Sequence, residues 1–275
     1  MPELPEVETV RRDLHDLVVG RRIVRVDVTG ARTARRTSRE AVRDGLVGRT
    51  IIDTGRRGKY LLVALDDDHT MMVHLRMSGQ LRLGPAGTPL APHTHVRLHL
   101  DDDNELRFVD PRTFGEVVVF DQARLVIEMP DLAALGPEPL EVTRRAFDAL
   151  LRSRRRQLKA LLTDQHVLAG IGNIYADEIA HAARVRPTRP GDSLTGHEVG
   201  RLHAEMQRIL AAAIEARGST LSDEQYVDLG GLGGGYQEQH GVYGREDRPC
   251  RRCGRAIRRD AWAGRSTYWC PRCQR

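Results

Sequence analysis

The chain has 275 residues, of which 40% are hydrophobic, and its formal net charge is +5. This length predicts one large domain or two small ones, and the hydrophobic content is sufficient for a buried core, which excludes wholesale disorder. No apolar run of about 18 residues occurs, which excludes a transmembrane helix, and the acidic residues 1–6 lack the apolar segment of a secretory signal.

The first 130 residues predict a β-sandwich that begins with a helix. Residues 6–18 place Val7, Val10 and Leu14 on one helical face, and Pro5 suits a first helical turn. Short runs of alternating or branched residues follow at 23–28, 59–65, 71–75, 95–100, 105–109 and 115–120. Many short strands at this spacing are typical of a sandwich or a barrel.

The pattern becomes helical near residue 130. Residues 143–162, 174–184 and 196–217 are rich in Ala, Leu and Arg with helical spacing. Within 164–178, DQHVLAGIGNIYADE predicts a helix, a glycine turn and a second helix with Asn173 as its N-cap. Such a helix start can hold a phosphate, although an ordinary turn between helices has the same pattern. The glycine cluster at 230–235 then predicts a mobile loop.

The C-terminal residues 241–275 carry the four cysteines of the chain and most of its excess charge. Cys250, Cys253, Cys270 and Cys273 form C-x2-C-x16-C-x2-C, which is close to the spacing of a tetrahedral zinc site. Two disulfides are the alternative, disfavoured because no secretion signal is present. The segment holds ten arginines and three acidic residues, so its net charge is +7 and the remaining 240 residues sum to −2. This concentration of positive charge indicates a polyanionic partner, with nucleic acid as the first candidate.

The N-terminus carries a candidate nucleophile. Removal of Met1 would leave Pro2 with a secondary amine. An α-amine has a pKa near 8, against about 10.4 for lysine, so roughly a tenth of it is unprotonated at pH 7. Such an amine suits Schiff-base formation at a sugar C1′, and the neighbouring Glu3 could transfer protons. The alternative is that this segment is only a turn that leads into the helix.

Three further segments carry candidate functional residues. Lys59, one of two lysines beside 41 arginines, lies in GRRGKY, where glycines allow a phosphate or a reacting centre to approach. Met77 lies in HLRMSG, and Arg112 and Phe114 lie in DPRTFG. Proteins that distort a duplex insert apolar wedges of this kind beside arginine. The alternatives are a solvated strand end for Lys59 and core positions for Met77 and Phe114.

Motifs spread over nearly the whole chain carry a family resemblance. They are PELPEVETVRR, GRRGKYLL, HLRMSG, DPRTFG, LGPEPL, LAGIGNIYADE, VYGR and the terminal four-cysteine motif. In these the sequence resembles the bacterial formamidopyrimidine-DNA glycosylases of the helix–two-turn–helix superfamily. The resemblance implies an α+β multidomain fold: a β-sandwich with a leading helix at 1–130, a helical helix–two-turn–helix domain at 131–240 and a zinc-finger β-hairpin at 241–275.

The resemblance also implies an activity and a catalytic set. The enzyme would excise oxidised purines, chiefly 8-oxoguanine and formamidopyrimidines, from duplex DNA, and would then cut the strand by β,δ-elimination. Pro2 matches the nucleophile, Glu3 the residue that assists ring opening, and Lys59 a lysine that contacts phosphate and aids catalysis. Arg265 matches a residue that contributes both to catalysis and to DNA binding. Glu6 also falls within the first motif, with a lesser role.

The DNA-binding residues and the metal follow from the same resemblance. Met77, Arg112 and Phe114 match three intercalating residues, of which Arg112 pairs with the orphaned cytosine. His95, Lys159, Asn173 and Arg265 match further residues on the DNA face. Thr220 and Tyr236 match residues of a loop, here 219–236, that covers the extruded base. The four cysteines match the ligands of one structural zinc ion. Tyr175 and Glu178 fall in the same helical motif.

We expect a monomer that binds damaged double-stranded DNA, without a membrane, in the bacterial cytoplasm at the nucleoid. An endonuclease VIII-like enzyme for oxidised pyrimidines is one alternative; Leu4, the complete set of Met77, Arg112 and Phe114, and the long glycine-rich loop argue against it. A non-catalytic protein that binds DNA damage is the other, and the intact catalytic positions argue against it. Thr113 departs from the family pattern, in which a second arginine is common.

Overall fold

The computed structural model describes residues 1–221, 225–262 and 264–275, and these residues form two compact units. The N-terminal unit comprises Met1–Ala134 and Ala216–Gly235, and the C-terminal unit comprises Leu135–Glu215 and Tyr236–Arg275. Residues 222–224 of the predicted loop at 219–236, and residue 263, lie outside the described residues. Across the described part of the chain, no helix has the length and apolar character needed to cross a membrane.

The N-terminal unit is built from two antiparallel four-stranded sheets. Its first sheet has the order β1 (Ile23–Val28), β6 (Thr94–Leu100), β7 (Asn104–Val109) and β5 (Gln80–Pro85). The second has the order β2 (Ile51–Arg57), β3 (Tyr60–Leu65), β4 (His69–His74) and β8 (Glu116–Asp121). The helices of this unit are α1 (Leu4–Val18), α2 (Arg39–Asp44), α3 (Leu125–Glu128) and α4 (Pro130–Ala133).

One apolar core joins helix α1 to both sheets. Val7, Val10 and Leu14 of α1 are buried in it with Ile23 of the first sheet and Leu61 of the second. The predicted β-sandwich with a leading helix is therefore confirmed. Strands β2 and β5 were not predicted. In β2, IIDTGRR, the branched residues are interrupted by Asp53 and followed by Gly55, and β5, QLRLGP, contains glycine and proline, which are depleted in strands. Hydrogen bonding to β3 and β7 stabilises the extended conformation that the local sequence does not indicate.

The C-terminal unit contains the predicted helices and a hairpin. Its elements are α5 (Arg144–Arg152), α6 (Leu158–Leu162), α7 (Asn173–Ala182), α8 (Gly196–Glu215), β9 (Arg258–Trp262) and β10 (Arg265–Trp269). The helix predicted over 143–162 is divided into α5 and α6. The backbone amides of Gly191 and Asp192 donate to the carbonyls of Arg156 and Arg154 at 3.0 Å each, so these carbonyls are not available to a continuous helix.

Candidate catalytic and nucleic-acid site

Pro2 and Glu3 lie at the head of helix α1, and both are buried. The backbone amide of Glu3 donates to Oε2 of Glu6 at 2.8 Å, the spacing of a capping box. Glu6 is itself buried, and its other oxygen, Oε1, accepts the amide of Ser219 at 2.7 Å. The Glu6 carboxylate therefore fixes the N-terminal segment and the start of the glycine-rich segment together.

Helix α1 is tied to strand β2 by polar contacts. Nε of Arg56 donates to Oε2 of Glu8 at 3.2 Å, and a guanidinium nitrogen of Arg11 donates to the carbonyl of Thr54 at 3.3 Å. Burial raises the pKa of Glu8, but hydrogen bonds and charge from Arg11 and Arg56 outweigh burial and hold the pKa below its ordinary value. Glu8 is thus ionised at neutral pH and keeps the helix against the sheet.

Lys59 lies in the two-residue turn between β2 and β3, since Arg57 pairs with Tyr60. Gly58 has φ +56°, which favours glycine at this position. The lysine is 5% exposed, so it is not a solvated strand-end charge. His74 is buried nearby, and burial lowers its pKa well below the ordinary value, with Arg76 and Lys59 adding to the effect. The lysine is therefore buried close to a neutral imidazole.

The loops that carry the predicted wedge residues are organised by one buried carboxylate, that of Asp110. Its Oδ1 accepts the Ser78 hydroxyl at 2.5 Å, and its Oδ2 accepts the amide of Gly115 at 2.6 Å. The amide of Arg112 also donates to Oδ1, at 3.2 Å. Because Ser78 follows Met77, this carboxylate fixes the loop of Met77 to the turn of Arg112.

The wedge side chains themselves reach the surface. Phe114 is 38% exposed, Arg112 is exposed with its guanidinium 5.2 Å from the Phe114 ring centroid, and Met77 is half-buried. His95 lies at the same turn, with Nε2 2.9 Å from the carbonyl of Asp110. Neither Phe114 nor Arg112 is a core residue, and both can contact a ligand outside the unit.

Glycines allow these loops to pack closely. A Cβ added to Gly115 would lie 2.4 Å from the Phe108 ring, and one added to Gly79 would lie 2.5 Å from the carbonyl of Leu75. Thr113 has φ +55°, a strained conformation for a β-branched residue. The turn that presents Arg112 and Phe114 is therefore held in a conformation that its own sequence does not favour.

The glycine-rich segment closes on itself through Thr220. Its hydroxyl donates to the carbonyl of Tyr226 and accepts the amide of Gly234, both at 2.8 Å. At the base of the segment, Arg217 bonds to Asp13 of α1 at 2.6 Å and to Asp228 at 2.7 Å. This segment belongs to the N-terminal unit, although it lies more than 80 residues beyond strand β8 in the sequence.

Tyr236, the other residue predicted for the loop, belongs to the C-terminal unit. It is buried with its ring centroid 5.9 Å from that of Tyr175, and burial raises its pKa to about 12. Tyr175 and Tyr236 are thus packed against each other inside this unit.

The turn between α6 and α7 is held by the side-chain amide of Gln165. Its Oε1 accepts the amide of Gly170 at 2.9 Å, and its Nε2 donates to the carbonyl of Ile171 at 2.9 Å. Helix α7 begins at Asn173 itself, and its N-cap is Gly172, so the prediction that Asn173 is the N-cap is wrong by one residue. Among the described residues, Oδ1 of Asn173 is buried without a hydrogen-bond partner. This oxygen can accept a hydrogen bond from a donor on an external ligand, but it cannot bind a phosphate, which offers no proton.

Lys159 is buried rather than presented on a surface. It is 5% exposed, its Nζ lies 2.7 Å from Oδ1 of Asp177, and Nζ also donates to the carbonyl of Ser266 at 2.7 Å. The amide of Tyr268 donates to Oδ2 of Asp177 at 2.9 Å. This ion pair therefore ties strand β10 to helix α7, and the exposed Arg265 begins that strand beside Ser266.

A cleft of about 420 Å³ lies beside Arg265 in the C-terminal unit. Its lining includes Arg156, Lys159, His166 and Trp262 together with Arg265. Asp164 lines the cleft as well and pairs with Arg156 at 2.6 Å, so Arg265 is the exposed guanidinium group of this lining that suits contact with phosphate.

The four cysteines fit one tetrahedral metal ion. Their sulfurs all lie within 4.8 Å of one another, with Cys250 Sγ 4.0 Å from Cys273 Sγ and Cys253 Sγ 3.5 Å from Cys270 Sγ. A Zn–S distance of about 2.3 Å predicts sulfurs about 3.8 Å apart. The cysteines are not paired as disulfides, which excludes the alternative. Four thiolates fill the coordination of zinc and leave no position for a catalytic water, so the zinc is structural.

Helix α7 also contacts the zinc module, which is the C-terminal segment 241–275. The Glu178 carboxylate accepts the amides of Gly241, Val242 and Tyr243 at 2.8, 2.9 and 2.8 Å. One turn later, Nε2 of His181 lies 3.6 Å from Sγ of Cys250. Burial lowers the pKa of His181 to about 4, so this imidazole is neutral at physiological pH.

Sequence reasoning undervalued or missed several acidic residues that organise these regions. Glu6 received a lesser role, and Asp110 and Asp177 received none, although all three lie in the quoted motifs. The spacing of Glu3 and Glu6 could have indicated the capping contact. The contacts of Asp110 with the amides of Arg112 and Gly115 are local to the DPRTFG motif, whereas its contact with Ser78 and the contacts of Asp177 with Lys159 and Tyr268 join distant segments that no local pattern could have indicated.

Comparisons with known proteins identify relatives over the full chain. Three family models match: the formamidopyrimidine-DNA glycosylase N-terminal domain at 1–117, the formamidopyrimidine-DNA glycosylase H2TH domain at 135–225, and a zinc finger found in FPG and IleRS at 248–275. The chain is 47% identical to the formamidopyrimidine-DNA glycosylase of Salinispora arenicola, covering 100% of this chain and 96% of the relative. It is 45% identical to that of Heliobacterium modesticaldum, covering 100% of both.

Solved structures give the same result. The MutM (Fpg) protein of Thermus thermophilus is 44% identical with a TM-score of 0.90, over 99% of this chain and 98% of that one. A variant of the Lactococcus lactis protein in complex with Fapy-dG containing DNA is 34% identical with a TM-score of 0.92, over 100% of both chains. The L. lactis protein with abasic-site DNA is 34% identical with a TM-score of 0.92, over 99% of both.

Proposed function

The chain belongs to the formamidopyrimidine-DNA glycosylase family, and on this premise we propose that it is a base excision repair enzyme for oxidised purines in duplex DNA. Its substrates are 8-oxoguanine and formamidopyrimidines, and it is a bifunctional glycosylase and abasic-site lyase. The observation that carries this proposal is the buried pair Pro2 and Glu3 at the head of α1, in a chain matched by its relatives from end to end.

Pro2 supplies the nucleophile once Met1 has been removed. Met1 is 44% exposed, so a peptidase can reach it. The free secondary amine attacks C1′ of the damaged nucleotide, and the oxidised base leaves with the glycosidic electron pair and takes up a proton. Opening of the sugar ring then gives an iminium ion between the proline nitrogen and C1′.

The acid and the lysine complete this chemistry. Glu3 transfers the proton that opens the sugar ring and accepts protons during elimination. The iminium ion acidifies the C2′ proton; its removal expels the 3′ phosphate, and δ-elimination then expels the 5′ phosphate. Lys59, which is buried at the turn between β2 and β3, binds phosphate near the lesion and stabilises the charge on the leaving groups.

Each unit contributes residues that bind DNA. Met77 and Phe114 fill the gap left by the flipped nucleotide, Arg112 pairs with the orphaned cytosine, and His95 supports their turn. In the C-terminal unit, Asn173 and Arg265 bind phosphates; for Asn173 the donors would be its Nδ2 and the amides at the start of α7, since Oδ1 can only accept. Thr220 lies at the start of the loop at 219–236 that covers the extruded nucleobase, and Tyr236 is the last residue of that loop.

We propose three functional parts, supported by the matched ranges 1–117, 135–225 and 248–275: a catalytic sandwich at 1–130, a DNA-binding helical part at 131–240 and the zinc finger at 241–275. The relatives that were solved with damaged DNA support damaged duplex DNA as the partner. We further propose that the protein acts as a monomer, without a membrane, in the bacterial cytoplasm at the nucleoid.

Borohydride trapping on an 8-oxoguanine:cytosine duplex tests the mechanism. We expect a covalent adduct with the wild-type protein, and a loss of most of this adduct in Pro2→Gly. The mass of the N-terminal peptide, measured on the same sample, establishes whether the proline amine is free. A protein with free Pro2 that forms no adduct, or a Pro2→Gly variant that traps as well as wild type, would refute the proposal.

A second duplex distinguishes the alternative specificity. With an oxidised pyrimidine in place of 8-oxoguanine, we expect excision that is much slower than on the purine lesion. Faster excision of the pyrimidine would favour the endonuclease VIII-like alternative. Tight binding to both duplexes without any excision would favour a non-catalytic damage-binding protein.

A further inference from the structure

We propose that His181 donates a hydrogen bond from Nε2–H to the Cys250 thiolate and thereby stabilises the zinc site. This inference rests on the zinc ion assigned above and adds a residue outside the four ligands. His181 would act through Cys250, as a positioning residue for the metal centre rather than a ligand.

The first observation is that the backbone at Gly241 packs against the imidazole. A Cβ added to Gly241 would lie 2.7 Å from Nδ1 of His181 and 3.3 Å from Oε2 of Glu178, so the backbone at Gly241 packs directly against the ring. Glu178 in turn holds this backbone through the amides of residues 241–243. The ring therefore has little freedom to turn away from Cys250.

The second observation is the burial of the sulfur that the ring reaches. Cys250 and Cys270 are buried, whereas Cys253 and Cys273 are half-exposed and can be solvated by water. Cys250 packs with Val242 and Ile257 in the apolar core of the zinc module. A buried thiolate that loses water needs another donor, and Nε2 of His181 lies 3.6 Å from its Sγ, within the range of a hydrogen bond to sulfur.

The chemistry fixes the direction of this bond. A thiolate that binds zinc carries no proton, so it can only accept. The imidazole must therefore place a proton on Nε2, which leaves Nδ1 facing Gly241. A hydrogen bond to an anion is stronger than a neutral one, and it draws electron density from the sulfur while keeping the thiolate oriented toward the metal.

The bond also links the metal to the helix start. His181 is in the last turn of α7, and Asn173, with its orphaned Oδ1, is the first residue of the same helix. The zinc module is thus anchored to the helix that presents a proposed phosphate contact. Zinc affinity and the cobalt spectrum are measured without DNA, so this inference and the proposed excision mechanism can fail separately.

Zinc affinity and a cobalt spectrum of the full chain test the inference. In His181→Phe, which fills the volume without a donor, we expect zinc to bind about 10- to 100-fold more weakly in competition with a chromogenic chelator. In the Co²⁺-substituted protein, the sulfur-to-cobalt charge-transfer band should move to longer wavelength, because a thiolate without its hydrogen bond is oxidised more easily. His181→Gln retains an N–H donor and should restore part of the affinity and of the band position.

His203→Phe is the matched control. His203 also lies on a helix of the C-terminal unit, with Nε2 2.8 Å from the carbonyl of Val142, but it does not approach a cysteine. Zinc affinity within twofold of wild type in His181→Phe, with an unchanged cobalt band, would refute the role of His181. Equal weakening in His203→Phe would also refute it, since packing alone would then explain the loss. A wild-type protein without zinc by metal analysis would instead refute the zinc assignment.

Discussion

Replacement of Lys159 by methionine should destabilise the zinc-held hairpin, and the loss should depend strongly on pH. Asp177 is fully buried, and its carboxylate lies 2.7 Å from Nζ of Lys159. Burial raises the pKa of Asp177 to about 7 even though the lysine charge opposes that shift. Without Lys159, the carboxylate must either remain buried without its counter-charge or take up a proton.

The pKa of Asp177 in the wild-type protein sets the pH-dependent part of the cost. Below pH 7 Asp177 is protonated in the wild-type protein as well, so there is no ionised pair to break; above pH 7 the pair stabilises the fold by about 1.4 kcal/mol for each pH unit. Lys159→Met also loses the hydrogen bond to the carbonyl of Ser266, which costs about 1 kcal/mol at either pH. We therefore expect a loss of about 2–3 kcal/mol at pH 8 and about 1 kcal/mol at pH 5.

The direction of the pH dependence follows from the linkage between proton binding and folding. A group whose pKa is higher in the folded state contributes stability that is present below its unfolded pKa and is lost as the pH rises through its folded pKa. Loss of Lys159 raises the folded pKa of Asp177 further. Stability should therefore fall in both proteins between about pH 4 and pH 7, and above pH 7 it should continue to fall in Lys159→Met while the wild-type curve levels off.

Tryptophan fluorescence during urea unfolding provides the assay. The chain has two tryptophans, Trp262 and Trp269, and both lie in the hairpin that this ion pair anchors. Arg156→Met is the control, because Arg156 and Asp164 form an exposed pair at 2.6 Å whose loss should cost less than about 1 kcal/mol at either pH. The double variant K159M/D177L should recover most of the stability. A loss below about 1 kcal/mol at pH 8, or equal losses at both pH values, would refute the reasoning.

Three further outcomes follow from the structure. Arg265→Ala should weaken binding to the lesion duplex and lower the salt-dependence slope by about 1, measured by fluorescence anisotropy at several salt concentrations. Gly218→Ala should lower the free energy of unfolding by more than about 1 kcal/mol in a urea titration, because Gly218 has φ +79° and its Cβ would lie 2.8 Å from Cγ of Glu6; Gly84→Ala, with nothing within 4 Å, should change it little. Chelation of zinc, or Cys250→Ser, should abolish DNA binding in a gel-shift assay, and full binding without metal would exclude the role assigned to the ion.

Several features of this protein were evident from the sequence because their chemistry is local. The four cysteines bind one ion through two CxxC pairs, and the four sulfurs converge as that spacing predicts. The leading helix and most strands follow from short-range periodicity and are present in the structure. The position of Pro2 and the ordinary pKa of an α-amine made it a candidate nucleophile, the family resemblance supports that role, and the role stays a prediction.

Only the tertiary structure decided which of these groups are buried and which distant groups they contact. Local spacing cannot show that Lys159 pairs with Asp177 and the carbonyl of Ser266, since the second contact spans 107 residues. The contact between Glu6 and Ser219 spans 213 residues and brings Ala216–Gly235 into the N-terminal unit. Burial changes the pKa and the role of a charged side chain, and burial is a property of packing between segments, which a local pattern in the sequence does not specify.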